Sequence, residues 1–78
     1  MNKDEMRENI RVNLIRLRKK KGISQVDVAI LTDKKSPSVA SWEQGISLPD
    51  VTNLYKLSKY YGVSMEYFYL NHEEEGEI

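Results

Sequence analysis

Between Ser24 and Gly45 the chain reads SQVDVAILTDKKSPSVASWEQG, in which four serines, a threonine and two lysines stand among Gln25, Asp27, Asp33, Glu43 and Gln44. On a helix beginning near Ser36-Pro37, Val39 and Trp42 fall three apart and form an inward stripe. Lys35, Ser36, Ser38 and Ser41 are then left on the outer side. Serine hydroxyls donate and accept hydrogen bonds without steric bulk, so a short helix with this face suits the floor of a nucleic-acid major groove. A second cluster, Arg18-Lys19-Lys20-Lys21, admits two readings. It places positive charge at a helix C-terminus, where the dipole favours it, and it offers cations to phosphate.

Other chemistries find little support. The single histidine, His72, stands beside a run of glutamates, and a lone imidazole without preset geometry is a poor metal ligand. There is no cysteine, no glycine-rich phosphate loop and no convergent set of carboxylates, so no enzyme, cofactor or metal site is expected.

Two short helices must position the outer face. The first opens at Ser24 with Asp27 three residues on, a capping-box pattern, and Ile23 with Val28 supplies the hydrophobic staple. Val28, Ala29 and Thr32 share its packed face. For the second, Ser36 is expected to cap, Pro37 to take the first helical position and Gly45 to close the helix.

In register and without a gap, Ser24-Gln25, Ala29 and Trp42-Glu43-Gln44-Gly45 resemble the helix-turn-helix of the Cro and lambda-repressor-like (XRE-type) family. In that family SQ, an alanine four residues after the glutamine, and a closing W-E-x-G recur. Ile10, Leu14, Leu17, Arg18, Lys21 and Gly22 fit its first helix, and Pro49, Asn53, Leu54, Leu57, Gly62, Val63 and Ser64 fit its fourth and fifth. The resemblance implies an all-α, compact five-helix bundle with the helix-turn-helix at helices 2 and 3. It further implies a transcriptional regulator of double-stranded DNA, a repressor acting as a homodimer on a two-fold symmetric operator.

Site roles follow from the same resemblance. Lys35, Ser36, Ser38 and Ser41 would face base edges. Gln25, Lys34, Lys19, Lys20 and Lys21 would meet phosphates, with Gln25 also bracing the recognition helix. Arg18 and Glu43 would form a structural ion pair joining the first helix to the third. Two segments depart from the family pattern. Thr32-Asp33-Lys34 stands where an aliphatic, a glycine and a second aliphatic are usual, which predicts a looser or locally reshaped turn and a third helix starting one residue late. Ile46-Ser47-Leu48-Pro49 lacks the cations that relatives often carry there, which predicts a weaker phosphate clamp.

The flanks complete the picture. A first helix is expected from near Glu5 or Asn9 to Lys21, with residues 1–8 as a flexible start or its first turn, and Ile10, Leu14 and Leu17 as its apolar stripe. Asp50 should cap a fourth helix that buries Val51, Leu54, Tyr55, Leu57, Ser58 and Tyr61 and ends at Gly62. Ser64 should cap a fifth, completing a domain over residues 9–70. Tyr61, Met65, Tyr67, Phe68 and Tyr69 either finish a small core or form a dimer interface, the latter being how the family often uses this end.

With 78 residues the chain makes one domain that buries roughly 60% of its unfolded surface. No apolar run approaches the ~20 residues that span a bilayer, and no apolar signal-peptide core stands at the start, so no membrane association and a cytoplasmic location are expected. The formal net charge is zero, yet residues 9–62 hold ten Lys and Arg against four Asp and Glu, 10 − 4 = +6. From Ser64 onward Glu66, Glu73, Glu74, Glu75 and Glu77 meet no Lys or Arg, and residues 71–78 read as a disordered acidic tail. A basic body with an acidic end points to an anionic partner. The alternative function is a protein-interaction module of the same fold, an antitoxin or accessory regulator that binds a protein partner.

Overall fold

Asn2 starts the first helix: its side-chain oxygen accepts the Glu5 amide at 2.8 Å, with Asp4 and Glu5 in the dipole-favoured first turn. The computed structural model describes residues 1–73. They form α1 Lys3–Lys21, α2 Gln25–Leu31, α3 Ser36–Gln44 and α4 Val51–Tyr61, followed by a 3-10 turn Glu66–Tyr69. All regular structure among the described residues is helical. At about 1.5 Å per residue α1 is roughly as long as the molecule, whose greatest extent is 30 Å. It is the spine on which α3 and the terminal turn pack.

α1 begins before the earliest expected start because Asn2 supplies a cap that the apolar pattern does not mark. It closes on four cations and on Gly22 at φ 75°, a left-handed conformation that glycine adopts with no Cβ penalty. α2 has the full capping box, Ser24 accepting from Asp27 N–H at 3.1 Å and Asp27 accepting from Ser24 N–H at 3.0 Å.

Of the two expectations for the turn between α2 and α3, the structure has the locally reshaped turn and not the looser one. Thr32, only 2% exposed, sends its hydroxyl to the Val28 carbonyl at 2.8 Å, and the Lys34 amide reaches Ala29 O at 2.9 Å. Threonine thus fills the aliphatic position while satisfying its own polar group. Asp33 takes the glycine's role at φ 54°. α3 also starts earlier than expected. Lys35 is the N-cap, Ser36 is already helical and Pro37 sits in the first turn, so Ser36 is not the cap. Proline's fixed φ suits either early position, and no side chain at the cap bonds the free amides.

α4 is capped by Asp50, which accepts the Asn53 amide at 2.8 Å. Its buried face is Asn53, Leu54, Leu57 and Ser58. Val51 and Tyr55, expected inside, are 69% and 53% exposed, because burial of Asn53 and Leu57 turns their side of the helix outward.

The expected fifth helix is only a 3-10 turn, so the bundle has four α-helices. Asn13, buried on α1, donates from its amide nitrogen to the carbonyls of Tyr67, Phe68 and Leu70 at 3.1, 3.0 and 2.8 Å. Asn9 donates to Tyr69 O at 2.9 Å. These carbonyls are drawn to α1 instead of into a further α-helical ladder. Phe68, fully buried, plugs the core beside Leu14, Leu17, Trp42, Leu54 and Leu57. It is therefore a core residue and not part of an interface surface. Of the segment expected to form an acidic tail, residues 74–78 lie outside the described residues.

Candidate nucleic-acid interface

α3 has two faces with different tasks. Inward, Val39, Trp42 and Glu43 are 1%, 4% and 8% exposed. Outward, Lys35 is exposed and Ser36, Ser38 and Ser41 are half-buried.

The inward carboxylate fixes the helix. Arg18 Nε and Nη2 donate to Glu43 Oε2 and Oε1 at 2.7 and 3.1 Å, a two-pronged pair, while Arg18 Nη1 donates to Ile23 O at 3.0 Å. Gln25 Nε2 donates to the same Glu43 Oε1 at 3.0 Å. One carboxylate thus joins α1, the start of α2 and α3. The hydrogen bond to Glu43 raises the Arg18 pKa above its ordinary value, so its charge is permanent. Nearby, burial pushes the Tyr61 hydroxyl up to about 12, with the Glu43 and Tyr60 charges adding and Arg18 opposing.

Two further arginines meet the far end of α3. Arg7 Nη1 lies 3.4 Å from Gly45 O and Arg11 Nη1 3.5 Å from Glu43 O, long contacts that place positive charge at a helix C-terminus. Arg11 is also held by both oxygens of Glu8 at 2.9 and 2.6 Å. That hydrogen bond lowers the Glu8 pKa and raises that of Arg11. Neither residue is among the expected site residues; their spacing, one helical turn apart and C-terminal to acidic neighbours, is the signal that the sequence offers for them.

Beside the outer face lies an open groove of about 340 Å³ between α3 and the start of α4, lined by Lys34, Ser38, Ser41, Ser47, Asp50 and Asn53. It brings three expected contact residues, Lys34, Ser38 and Ser41, to one concavity. Lys35 and Ser36 stand at the start of α3 and do not line it. Ser47 and Asn53 join it from the following segments, although neither was expected. Asp50 adds a carboxylate to its wall.

Gln25 is half-buried against Glu43, while Lys19, Lys20 and Lys21 are exposed at the end of α1. Lys21 Nζ lies 5.2 Å from the centre of the Tyr60 ring. Tyr61, Met65, Tyr67 and Tyr69 are partly buried against the core, and Tyr67 stacks on the His72 ring at 3.7 Å. No helix among the described residues is long and apolar enough to cross a membrane.

Two helices joined by a tight turn, the second locked from behind and presenting a small polar outer face, define a helix-turn-helix module. The helix-turn-helix family model matches residues 14–68, and the chain belongs to this XRE-type family, whose members are DNA-binding regulators and generally not enzymes. A transcriptional regulator from Listeria innocua is similar at 28% identity and TM-score 0.74, over 81% of this chain and 61% of that one. This chain therefore spans about six tenths of that regulator's length. A hypothetical transcription factor, NHTF, from Neisseria shares the fold at TM-score 0.80 and 22% identity, over 95% of this chain and 83% of that one. No curated protein matches significantly.

Proposed function

We propose that the protein is a sequence-specific regulator of transcription that binds double-stranded DNA in the cytoplasm and represses as a homodimer on a two-fold symmetric operator. The observation that carries this is the locked α3. Arg18, Gln25 and Glu43 hold it from behind, leaving Lys35, Ser36, Ser38 and Ser41 on its other side. In this reading α3 enters the major groove, and Lys34 with Lys19 to Lys21 neutralises flanking phosphates. Gln25 reaches phosphate from the start of α2. Tyr61, Met65, Tyr67 and Tyr69 contribute the dimer contact. Serine contacts discriminate bases modestly, so half-site spacing and DNA shape add to specificity.

The test is selection of purified protein against a randomised duplex pool, followed by sequencing of the bound fraction. Enrichment of a two-fold symmetric motif, with half-sites about one turn or ~34 Å apart, is expected. Ser41→Ala and Lys35→Ala should then weaken the selected site more than random duplex, and equal losses on both would remove the base-reading assignment. A second reading, a protein-interaction module of the same fold, is favoured by the exposure of Ile46, Leu48, Val51 and Tyr55 at 70%, 43%, 69% and 53%. In that case no motif is enriched, and duplex binding is weak at every salt concentration.

A further inference from the structure

α1 carries three arginines on one stripe, since Arg7, Arg11 and Arg18 stand four and then seven residues apart. All three reach the end of α3. Arg18 ties it through a side chain, at the Glu43 carboxylate. Arg11 and Arg7 address the backbone instead. The amides of Ile46 and Gly45 serve the carbonyls of Ser41 and Trp42, whereas the carbonyls of Glu43 and Gly45 face the two guanidiniums. The stem of Arg11 lies against this turn, for a Cβ added at Gly45 would stand 3.2 Å from Arg11 Cδ.

Two ties on one residue restrict more than one does. Held by its carboxylate alone, Glu43 would leave α3 free to pivot about a side chain, and a contact on its carbonyl removes that freedom. Positions 11 and 18, which supply the two ties, lie about 10 Å apart along the axis of α1. The start of α3 has no side-chain cap, so its direction is set from this end. Arg11 is in turn aimed by Glu8, whose two oxygens accept from its Nε and Nη2 at 2.9 and 2.6 Å. A guanidinium neutralised in this way attracts phosphate weakly, and an approaching anion would meet the Glu8 carboxylate as well.

We propose that Arg11, aimed by Glu8 and assisted by Arg7, is a positioning residue for the recognition helix. It sets the angle at which α3 presents Lys35, Ser36, Ser38 and Ser41, and touches no nucleic acid itself. The role rests on the reading of α3 as the base-contacting helix. It has an unusual corollary: the Glu8 carboxylate, despite its sign, favours binding to the operator.

The experiment measures binding of the full chain to the selected operator and to random duplex across a salt series, at a temperature where every variant is folded. Arg11→Met is expected to lower the preference for operator over random duplex by about two- to fivefold, with the slope of log K against log salt unchanged. Glu8→Gln should lower that preference in the same direction. A phosphate contact at Arg11 predicts otherwise. Arg11→Met would then flatten the slope by about 0.9, and Glu8→Gln, which removes an anion, would strengthen binding to both duplexes. Either result overturns the assignment. So does a preference that both variants retain, since a role in stability alone lowers the melting temperature and leaves that ratio untouched. The Glu8 side chain is 58% exposed, so Glu8→Gln carries the test should Arg11→Met fail to fold. If the wild type prefers no duplex over another, the regulator reading fails and the positioning role with it; a wild-type preference kept by both variants defeats the positioning role alone.

Discussion

Glu43 is the residue on which most of the geometry converges, since its two oxygens take three hydrogen bonds from Arg18 and Gln25. Removing one side of so buried a pair leaves the other charge uncompensated. Arg18→Met is therefore expected to destabilise by about 3 to 5 kcal/mol in urea unfolding, and Arg18→Met with Glu43→Met by clearly less than the sum of the single changes. A second expectation concerns Tyr61, whose folded-state pKa rises from 10.0 to about 12. Between those values the unfolded chain has lost the phenolic proton and the folded chain keeps it. The contribution is therefore whole below pH ~10 and declines as pH climbs toward ~12. Urea midpoints across that window should fall more steeply for wild type than for Tyr61→Phe. The Arg18–Glu43 pair could be anticipated through the family resemblance because both positions sit inside recurrent motifs. The carbonyl contacts of Asn13 could not, since they depend on where residues 67–70 come to lie against α1, and nothing local in the sequence encodes that.

Among the elements, α2 and α3 differ in how they begin. α2 has a reciprocal cap, so Ser24→Ala should cost about 1 kcal/mol. α3 begins on Lys35 with no side-chain cap, though the residue is proposed to touch DNA. Lys35→Asn should accordingly raise stability by several tenths to ~1 kcal/mol in thermal or urea unfolding, while weakening binding to the selected operator. Caps were legible in the sequence wherever they rest on a local pattern: Ser24 with Asp27, Asp50, and the glycines ending α1, α3 and α4. Two elements were misread, the second because a distant contact decides it. α4 is rotated so that Asn53 faces in and Tyr55 out, and the last helix is reduced to a 3-10 turn by Asn9 and Asn13, some sixty positions earlier. Hydrophobic periodicity reports which residues want burial, but not which polar side chain will claim a carbonyl.

For the whole molecule, zero net charge conceals a +6 body, and that asymmetry was plain in the sequence. If Lys19, Lys20 and Lys21 each neutralise a phosphate, replacing all three with glutamine should flatten the slope of log K against log salt by up to about 2.7, measured on one duplex from 50 to 200 mM salt. A smaller change would assign these lysines to the helix dipole alone. The architecture was legible to the same depth: four helices in order, with α3 packed on α1 and α2, and the inner and outer faces of α3 separated as expected. The tie between Asn13 and residues 67–70 has a consequence for biosynthesis. α1 leaves the ribosome before residues 67–70, and its buried amide waits for carbonyls made more than fifty codons later. A nascent chain stalled before Tyr67 therefore carries a complete helix-turn-helix sequence with an open core, and ribosome-bound intermediates of increasing length should gain protease resistance abruptly once residues 67–70 emerge.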